Sequence, residues 1–300
     1  MPISPSTPPF GRVRIAGSGN DKHGTDGKHH LRTIDPGGNG RYYGGAASSD
    51  ASNHAVSVII DAAGDDRYRG DTGLGEGGRF GTGIHTALAG NDEYRLLHKS
   101  LGYGGTFGAS IAVNLGGNDR YLADVENIRY SWFDDFCTQL DLPLGFGFGR
   151  RADMSDGHSS AGGLGMLVDG GGGDDVYICS DSAFGIGNLN SLAVCWDKSG
   201  NDTWIARSNS FGQPYMEREK AIRDFPVNCV LFLDGGGHDR YLKLPENVGA
   251  WKLDARALPD LEPWEFIRDG ASKSWRSHIP MPDGTVIQPG SSGAAIDSGG

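Results

Sequence analysis

Residues 168–177 read Val-Asp-Gly-Gly-Gly-Gly-Asp-Asp-Val-Tyr, and variants of this stretch recur along most of the 300-residue chain. In most copies an aspartate or asparagine precedes a glycine-rich turn, which leads to an Asn/Asp-Asp pair and then to an aromatic residue. The copies occupy 34–42, 60–68, 88–94, 114–121, 168–177, 197–204 and 233–241, with a fainter one at 17–21. The copy at 34–42 has Gly40 in place of the second aspartate of the pair. Internal repetition of this kind indicates a repeat architecture.

The spacing of that second aspartate sets the length of the repeat. Measured from Gly40, successive copies lie 26, 26, 27, 56, 27 and 37 residues apart. A unit of about 27 residues with two or three short strands corresponds to one coil of a β-solenoid, in which stacked coils bury a continuous core. We therefore expect an all-β parallel β-solenoid, or β-helix, with irregular insertions. A β-propeller is the alternative fold.

Breaks in the period divide the chain into segments. These are an N-terminal irregular segment or cap (1–33), solenoid coils (34–121), an insertion (122–160), further coils (161–241), an irregular segment with tryptophans and prolines (242–295) and the start of a further, truncated repeat (296–300). A short helical insertion is predicted near 213–226, because Met-Glu-Arg-Glu-Lys-Ala-Ile-Arg-Asp-Phe is followed there by Pro226.

Composition and charge narrow the classes of function. Glycine supplies 50 of the 300 residues but lacks the three-residue period of collagen. The net charge of −11 argues against nucleic acid as a partner, because a nucleic-acid binder needs a positive field. No stretch approaches about 18 apolar residues, so membrane insertion is not expected. No signal peptide is visible at the N-terminus.

The cysteines show no zinc-binding or thiol-exchange spacing. Cys179, Cys195 and Cys229 lie in apolar, strand-like runs, which predicts buried free thiols.

Stacked coils would place equivalent residues above one another at about 4.8 Å. The aromatic positions would then form a single column, interpreted as core packing, at Tyr42, Tyr68, Tyr94, Tyr121, Tyr177, Trp204 and Tyr241. Side chains alternate along a strand, so Arg67, Arg120 and Arg240 would form a separate row on the surface.

Stacking would also align the aspartates of the turns in two files. One file holds Asp61, Asp169, Asp197 and Asp234, and the other holds Asp66, Asp92, Asp119, Asp175, Asp202 and Asp239. Unit charges about 4.8 Å apart repel by roughly 1 kcal/mol in water and by about 3.5 kcal/mol at an effective dielectric constant of 20. Calcium, which takes 6–8 oxygen ligands, would offset this repulsion, so all ten are candidate calcium ligands. The alternative is that Asp and Asn only cap the turns by accepting backbone N–H bonds.

Residues 170–178, Gly-Gly-Gly-Gly-Asp-Asp-Val-Tyr-Ile, resemble the RTX nonapeptide G-G-x-G-x-D-x-U-x. RTX repeats form a parallel β-roll with calcium between successive turns, so the resemblance implies that Asp175 and its counterparts are ligands. The other copies depart at the first glycine, and the motif recurs once per coil instead of in tandem. The chain is also similar to uncharacterised bacterial Gly/Asp-rich proteins with GGDDxY β-solenoid repeats. Phe107-Gly108, followed by Asn114 and Asp119, resembles the FG-GAP repeat of calcium-binding propellers.

Two functions from different classes fit these features. Repetition of one motif favours a protein without catalytic activity, since scaffolding uses many equivalent sites whereas catalysis needs one. We expect a calcium-binding structural or adhesive module, extracellular or at the cell surface, with polysaccharide or other cell-surface partners and self-association through the solenoid ends.

The alternative is a carbohydrate-active β-helix enzyme, a polysaccharide hydrolase or lyase, or a carbohydrate-binding protein. In that case the insertion at 122–160 would form one side of a groove that runs along the coils. Tyr130 and Trp132 would stack on sugar rings. Acid–base chemistry would be carried out by Asp134, Asp135, Asp153 or His158.

Overall fold

The structure is a computed structural model that covers the repeat region and parts of the segments between repeats. The described residues are 13–24, 32–44, 49, 55–70, 73–97, 99–123, 144–149, 162–179, 183–188, 190–207, 210–214, 227–245, 248, 253, 258, 260–276, 279–280, 286–287 and 292–299. Over these ranges the regular structure is almost entirely β, without an α-helix. None of the described residues belongs to a helix long and apolar enough to cross a membrane.

Twenty-three strands follow one another among the described residues. In chain order they are β1 Val13–Ile15, β2 Lys22–His23, β3 Arg32–Asp35, β4 Arg41–Tyr43, β5 Val56–Asp61, β6 Arg67–Gly70, β7 Thr82–Ala87, β8 Glu93–Leu96, β9 Tyr103–Gly104, β10 Ala109–Asn114, β11 Arg120–Ala123, β12 Phe146–Phe148, β13 Leu164–Asp169, β14 Val176–Cys179, β15 Ile186–Asn188, β16 Leu192–Asp197, β17 Thr203–Ala206, β18 Cys229–Asp234, β19 Arg240–Lys243, β20 Ser272–Arg276, β21 Ile279–Pro280, β22 Val286–Ile287 and β23 Ser292–Asp297.

The strands form stacked sheets in which neighbours come from successive coils. The first sheet has the order β1-β3-β5-β7-β10-β13-β16-β18-β23-β20, the second β19-β17-β14-β11-β8-β6-β4-β2 and the third β15-β12-β9. Pairing is parallel throughout, apart from β20 with β23 and β21 with β22. The chain is therefore a parallel β-solenoid, as the spacing predicts. The propeller alternative is wrong, because propeller blades are separate four-stranded sheets around a channel.

The repeat motif stays in register even across the long steps. Tyr121 pairs with Tyr177 across the step of 56 residues, and Trp204 pairs with Tyr241 across the step of 37. Each long step is therefore one coil with inserted residues, although 56 residues would be enough for two. Within the insertion at 122–160, β12 adds the middle strand of the third sheet.

The C-terminal part contains more regular structure than the sequence indicates. Residues 242–295 look irregular in sequence, yet β20, β21, β22 and most of β23 lie there. β23 stacks on β18 and places Asp297 beside Asp234. A solenoid strand receives its hydrogen bonds from the preceding coil, so it can form after a long segment that lacks the repeat. Most of the helix predicted near 213–226 lies outside the described residues.

The predicted aromatic column forms the centre of the core. All seven side chains are at most 3% exposed. From Tyr42 to Tyr177 the rings stack with centroids 4.5–4.7 Å apart, which is the strand spacing, and Trp204 follows 3.7 Å from Tyr177. His23 extends the column at its N-terminal end, 4.3 Å from Tyr42.

Candidate cation sites in the turns

The ten aspartates predicted as calcium ligands lie inside the solenoid, at the corner between the first and second sheets. The strand-end file consists of aspartates that end strands of the first sheet: Asp35, Asp61, Asp169, Asp197, Asp234 and Asp297. The turn file consists of aspartates that immediately precede strands of the second sheet: Asp66, Asp92, Asp119, Asp175, Asp202 and Asp239. Every member is at most 8% exposed. Asp35 and Asp297 were not among the predicted ligands, although both occupy the strand-end position of a recognisable repeat.

Each turn-file aspartate caps the preceding coil. Its Oδ1 accepts a hydrogen bond from the backbone N–H of the equivalent residue one coil earlier. Asp119 accepts from the N–H of Asp92 at 2.6 Å, Asp175 from that of Asp119 at 2.6 Å, and Asp202 from that of Asp175 at 2.8 Å. Gly40 takes part without a carboxylate, because it donates its N–H to Asp66. The capping role is therefore present and engages one oxygen of each carboxylate.

A second ladder runs in the opposite direction on the solvent side of the same turns. Its members are the first residues of the Asn/Asp-Asp pairs. Asn91 Oδ1 accepts from the N–H of Asn118 at 2.9 Å, and Asn118 Oδ1 accepts from that of Asp174 at 3.0 Å. Each turn is consequently hydrogen-bonded to the coil before it and to the coil after it.

The strand-end file is bonded to the turn and to the aromatic column. Asp169 Oδ1 accepts the N–H of Gly171 at 3.1 Å, and its Oδ2 accepts the hydroxyl of Tyr121 at 2.9 Å. Tyr241 donates to Asp234 at 2.6 Å and lies 2.9 Å from Asp297. Asp169 Oδ1 thus accepts a backbone N–H of its turn, whereas no donor among the described residues reaches the equivalent Oδ1 of Asp234.

Carboxylates of the two files meet at successive coil boundaries in the C-terminal half. Four clusters have one oxygen from each member within 4.8 Å of the others: Asp119/Asp169/Asp175, Asp175/Asp197/Asp202, Asp202/Asp234/Asp239 and Asp239/Asp269/Asp297. The first three are fully buried, whereas the fourth includes the exposed Asp269, which no repeat signal indicates. Towards the N-terminus, Ala87 and Asn114 take strand-end places and Gly40 takes a turn place, so the described residues there form no such triad.

The cluster of Asp202, Asp234 and Asp239 fits a cation best. Asp202 Oδ2, Asp234 Oδ1 and Asp239 Oδ2 are all buried, and none accepts a hydrogen bond within the described part of the chain. Calcium binds carboxylate oxygens at about 2.3–2.6 Å, so one ion can bridge oxygens separated by the distances of this cluster.

Burial and mutual repulsion favour the protonated form of these carboxyls when no cation is bound. Burial raises the pKa of Asp119 to about 9, and the charges of Asp169 and Asp175 act in the same direction against the hydrogen bond from Asp92. Burial likewise raises the pKa of Asp234 to about 8 and that of Asp239 to about 6. The three fully buried clusters therefore favour binding of protons or of a cation near neutral pH.

The outer face of the second sheet carries a separate groove of about 660 Å³. Lys22, Arg41 and Arg67 line it in register on successive coils, and Arg120 follows two coils further on. Asparagine side chains of the second ladder, including Asn91, also line the groove. Arg240, at the far end of the predicted arginine row, instead donates to the carbonyl of Leu258 at 3.2 Å.

The residues predicted for carbohydrate chemistry lie outside the described part of the chain. These are Tyr130, Trp132, Asp134, Asp135, Asp153 and His158.

Comparison with protein-family models, with curated proteins and with solved structures finds no match to this chain.

Proposed function

We propose that the chain is a calcium-stabilised structural module, a rigid solenoid that acts outside the cell or at its surface. The observation that carries this proposal is the cluster of Asp202, Asp234 and Asp239. Its three carboxylates lie together, and each has a buried oxygen without a donor among the described residues. Ionised carboxylates this close repel strongly when buried, and a divalent cation removes that cost.

An ion in this cluster would join two coils. Asp202 belongs to one coil, whereas Asp234 and Asp239 belong to the next. The same relation holds for Asp119 with Asp169 and Asp175, so the arrangement repeats along the solenoid. Repeated sites between coils stabilise a scaffold, and sites with dissociation constants of about 10⁻⁴–10⁻³ M are typical of extracellular calcium modules.

The test compares thermal melts in EGTA and in millimolar calcium for the wild type and for Asp234→Asn. At 10 mM calcium, about 100 times a dissociation constant of 10⁻⁴ M, one site adds about 2.7 kcal/mol, so the wild-type Tm should rise by about 5 °C or more. Asp234→Asn should melt higher than the wild type in EGTA, because folding no longer requires a buried carboxyl to take up a proton, and should gain less from calcium.

Asp61→Asn is the matched control. Asp61 is equally buried and accepts hydrogen bonds from Tyr42 and Tyr68, but it belongs to none of the four clusters. This variant should keep the full calcium response. A wild-type melt that is the same in both buffers, with no metal found by elemental analysis, would overturn the proposal.

A second candidate function, binding of an acidic polysaccharide, is favoured by the groove on the second sheet. Arg41 and Arg67 are exposed, lie in register and make no ion pair with another described residue. Guanidinium groups bind carboxylates in a bidentate manner, and the neighbouring amides can hydrogen-bond to hydroxyl groups. A linear polyanion lying along the coils would meet Lys22, Arg41 and Arg67 on three successive coils, and these cations with Arg120 outnumber the solvent-accessible carboxylates of Asp65 and Glu93 in the same groove.

Titration with polygalacturonate tests this second function, with a neutral glucan and single-stranded DNA as comparison ligands. Arg41→Ala/Arg67→Ala should weaken polygalacturonate binding at least tenfold, about 1.4 kcal/mol, and added salt should weaken it further. Arg240→Ala, outside the groove, should bind like the wild type. Equal binding by all three proteins, or stronger binding of DNA, would exclude this function.

A further inference from the structure

The first sheet carries its more apolar side chains on its outer surface. In β5, Ser57, Ile59 and Asp61 point inward, and the intervening residues Val56, Val58 and Ile60 point outward. The strand ends inward on its aspartate, and alternation then fixes the side to which every other residue points. The aspartate files inside the solenoid thus force a row of aliphatic residues to its surface.

Seven consecutive strands of the sheet share this arrangement, with the more apolar side chains pointing outward. We call the outward side chains of β5, β7, β10, β13, β16, β18 and β23 the apolar face. All of them are apolar except Thr82, Thr86 and Ser292, and none is charged. Large members remain open to solvent, including Leu192 at 43% and Trp196 at 42% exposure.

The apolar face reaches the size of the smaller biological interfaces. Seven strands at about 4.8 Å, each contributing about 17 Å of length, give a footprint of roughly 570 Å². That value lies at the upper end of the apolar patches found on soluble monomers, about 300–600 Å². Two such faces together would bury roughly 1,100 Å², above the ~1,000 Å² that a biological interface should reach.

We propose that the apolar face binds the same face of a second copy of this chain. A two-fold axis would bring each face against its own equivalent, so one surface serves both partners. Sheets packed face to face bury their apolar side chains in a layer about 10 Å thick. The net charge of −11 opposes this contact only weakly at physiological salt, because the face itself carries no charge and charges elsewhere are screened over about 8 Å.

Other occupants fit less well. Leu192 and Trp196 are exposed, so none of the described residues covers them. An anionic lipid surface would be repelled by the exposed carboxylates of the turns, such as Asp65 and Asp174. The contact is independent of calcium, so its failure and that of the proposed function are distinguishable.

Sedimentation velocity of the full chain from 1 to 100 µM tests the contact. The wild type should be a dimer in this range. Val194→Glu/Leu231→Glu places two charges at adjacent, in-register positions of the face and should weaken association at least 100-fold. Arg67→Glu changes the net charge by the same two units on the second sheet and should remain dimeric. Circular dichroism establishes that each variant keeps its β-structure.

Cys229 provides a readout that needs no substitution in the face. It points outward from β18 and is exposed, whereas Cys179 and Cys195 are buried. In a Cys137→Ser background, thiol labelling of Cys229 should slow as protein concentration rises, because the second copy covers it.

Three results would overturn the proposal. The first is a wild type that stays monomeric up to 100 µM, and the second is a double variant that associates as tightly as the wild type. The third is slow labelling of Cys229 at every concentration, which would mean that a segment of the same chain covers the face. Binding of monomers to phosphatidylcholine vesicles would assign the face to lipid instead.

Discussion

Asp119 illustrates how one side chain serves two purposes in this molecule. Its Oδ1 accepts the N–H of Asp92 at 2.6 Å and so fixes the position of the preceding coil. Its Oδ2 is buried and has no donor among the residues described. The first oxygen makes the side chain useful as a cap, and the second makes it available to a proton or a cation.

The raised pKa values predict that the metal-free protein loses stability as pH rises. Asp92, Asp234 and Asp119 have folded pKa values of about 7, 8 and 9, above the unfolded value of about 3.9. Between these limits the folded state binds more protons than the unfolded state, so stability falls with rising pH until the folded pKa is passed. In EDTA we expect Tm to fall from pH 6.5 to pH 9.

The window starts at pH 6.5 because His85, whose pKa burial lowers to about 3, acts in the opposite direction below it. Asp119→Asn keeps an oxygen at the capping position and removes the titration, so its Tm should depend less on pH. Asp174→Asn removes an exposed carboxylate and should change the slope less than Asp119→Asn does. A Tm that rises from pH 6.5 to pH 9 in EDTA would contradict the raised pKa values.

At the scale of the element, the turn that follows β10 depends on close contact between coils. Gly117 has φ of 134°, and a Cβ there would collide with the carbonyl oxygen of Gly90 in the preceding coil. Gly116, its neighbour, would place a Cβ where no other heavy atom lies within 4 Å. Two adjacent glycines therefore have different structural importance.

Substitution of each glycine by alanine tests this difference. Gly117→Ala should lower the free energy of unfolding by about 3 kcal/mol, because it combines an unfavourable φ with overpacking against backbone. Gly116→Ala should change it by no more than about 0.5 kcal/mol. Guanidinium denaturation measures both values, and similar losses for the two variants would show that the coils can separate at this corner.

At the scale of the whole molecule, the features predicted from sequence are those that stacking repeats in every coil. The spacing of the turn-file aspartates predicts the solenoid, and alternation predicts both the column of Tyr68 and the outward position of Arg67. Asp269 could not be predicted to join Asp239 and Asp297, because it lies in a segment without the repeat. The outward position of Cys229 was also missed, since an apolar run was expected to face the core.

The hydrogen bonds between members of the turn file form equally well whether short or long stretches of chain separate the two residues. Asp119 donates to Asp175 at 2.6 Å across 56 residues, and Asp202 donates to Asp239 at 2.7 Å across 37. The same bond spans 27 residues between Asp92 and Asp119. Loop-closure entropy costs only about 0.6 kcal/mol for each doubling of length. The connections that follow the second sheet are therefore natural grafting positions, where foreign peptides can be displayed from a solenoid whose coils keep their alignment.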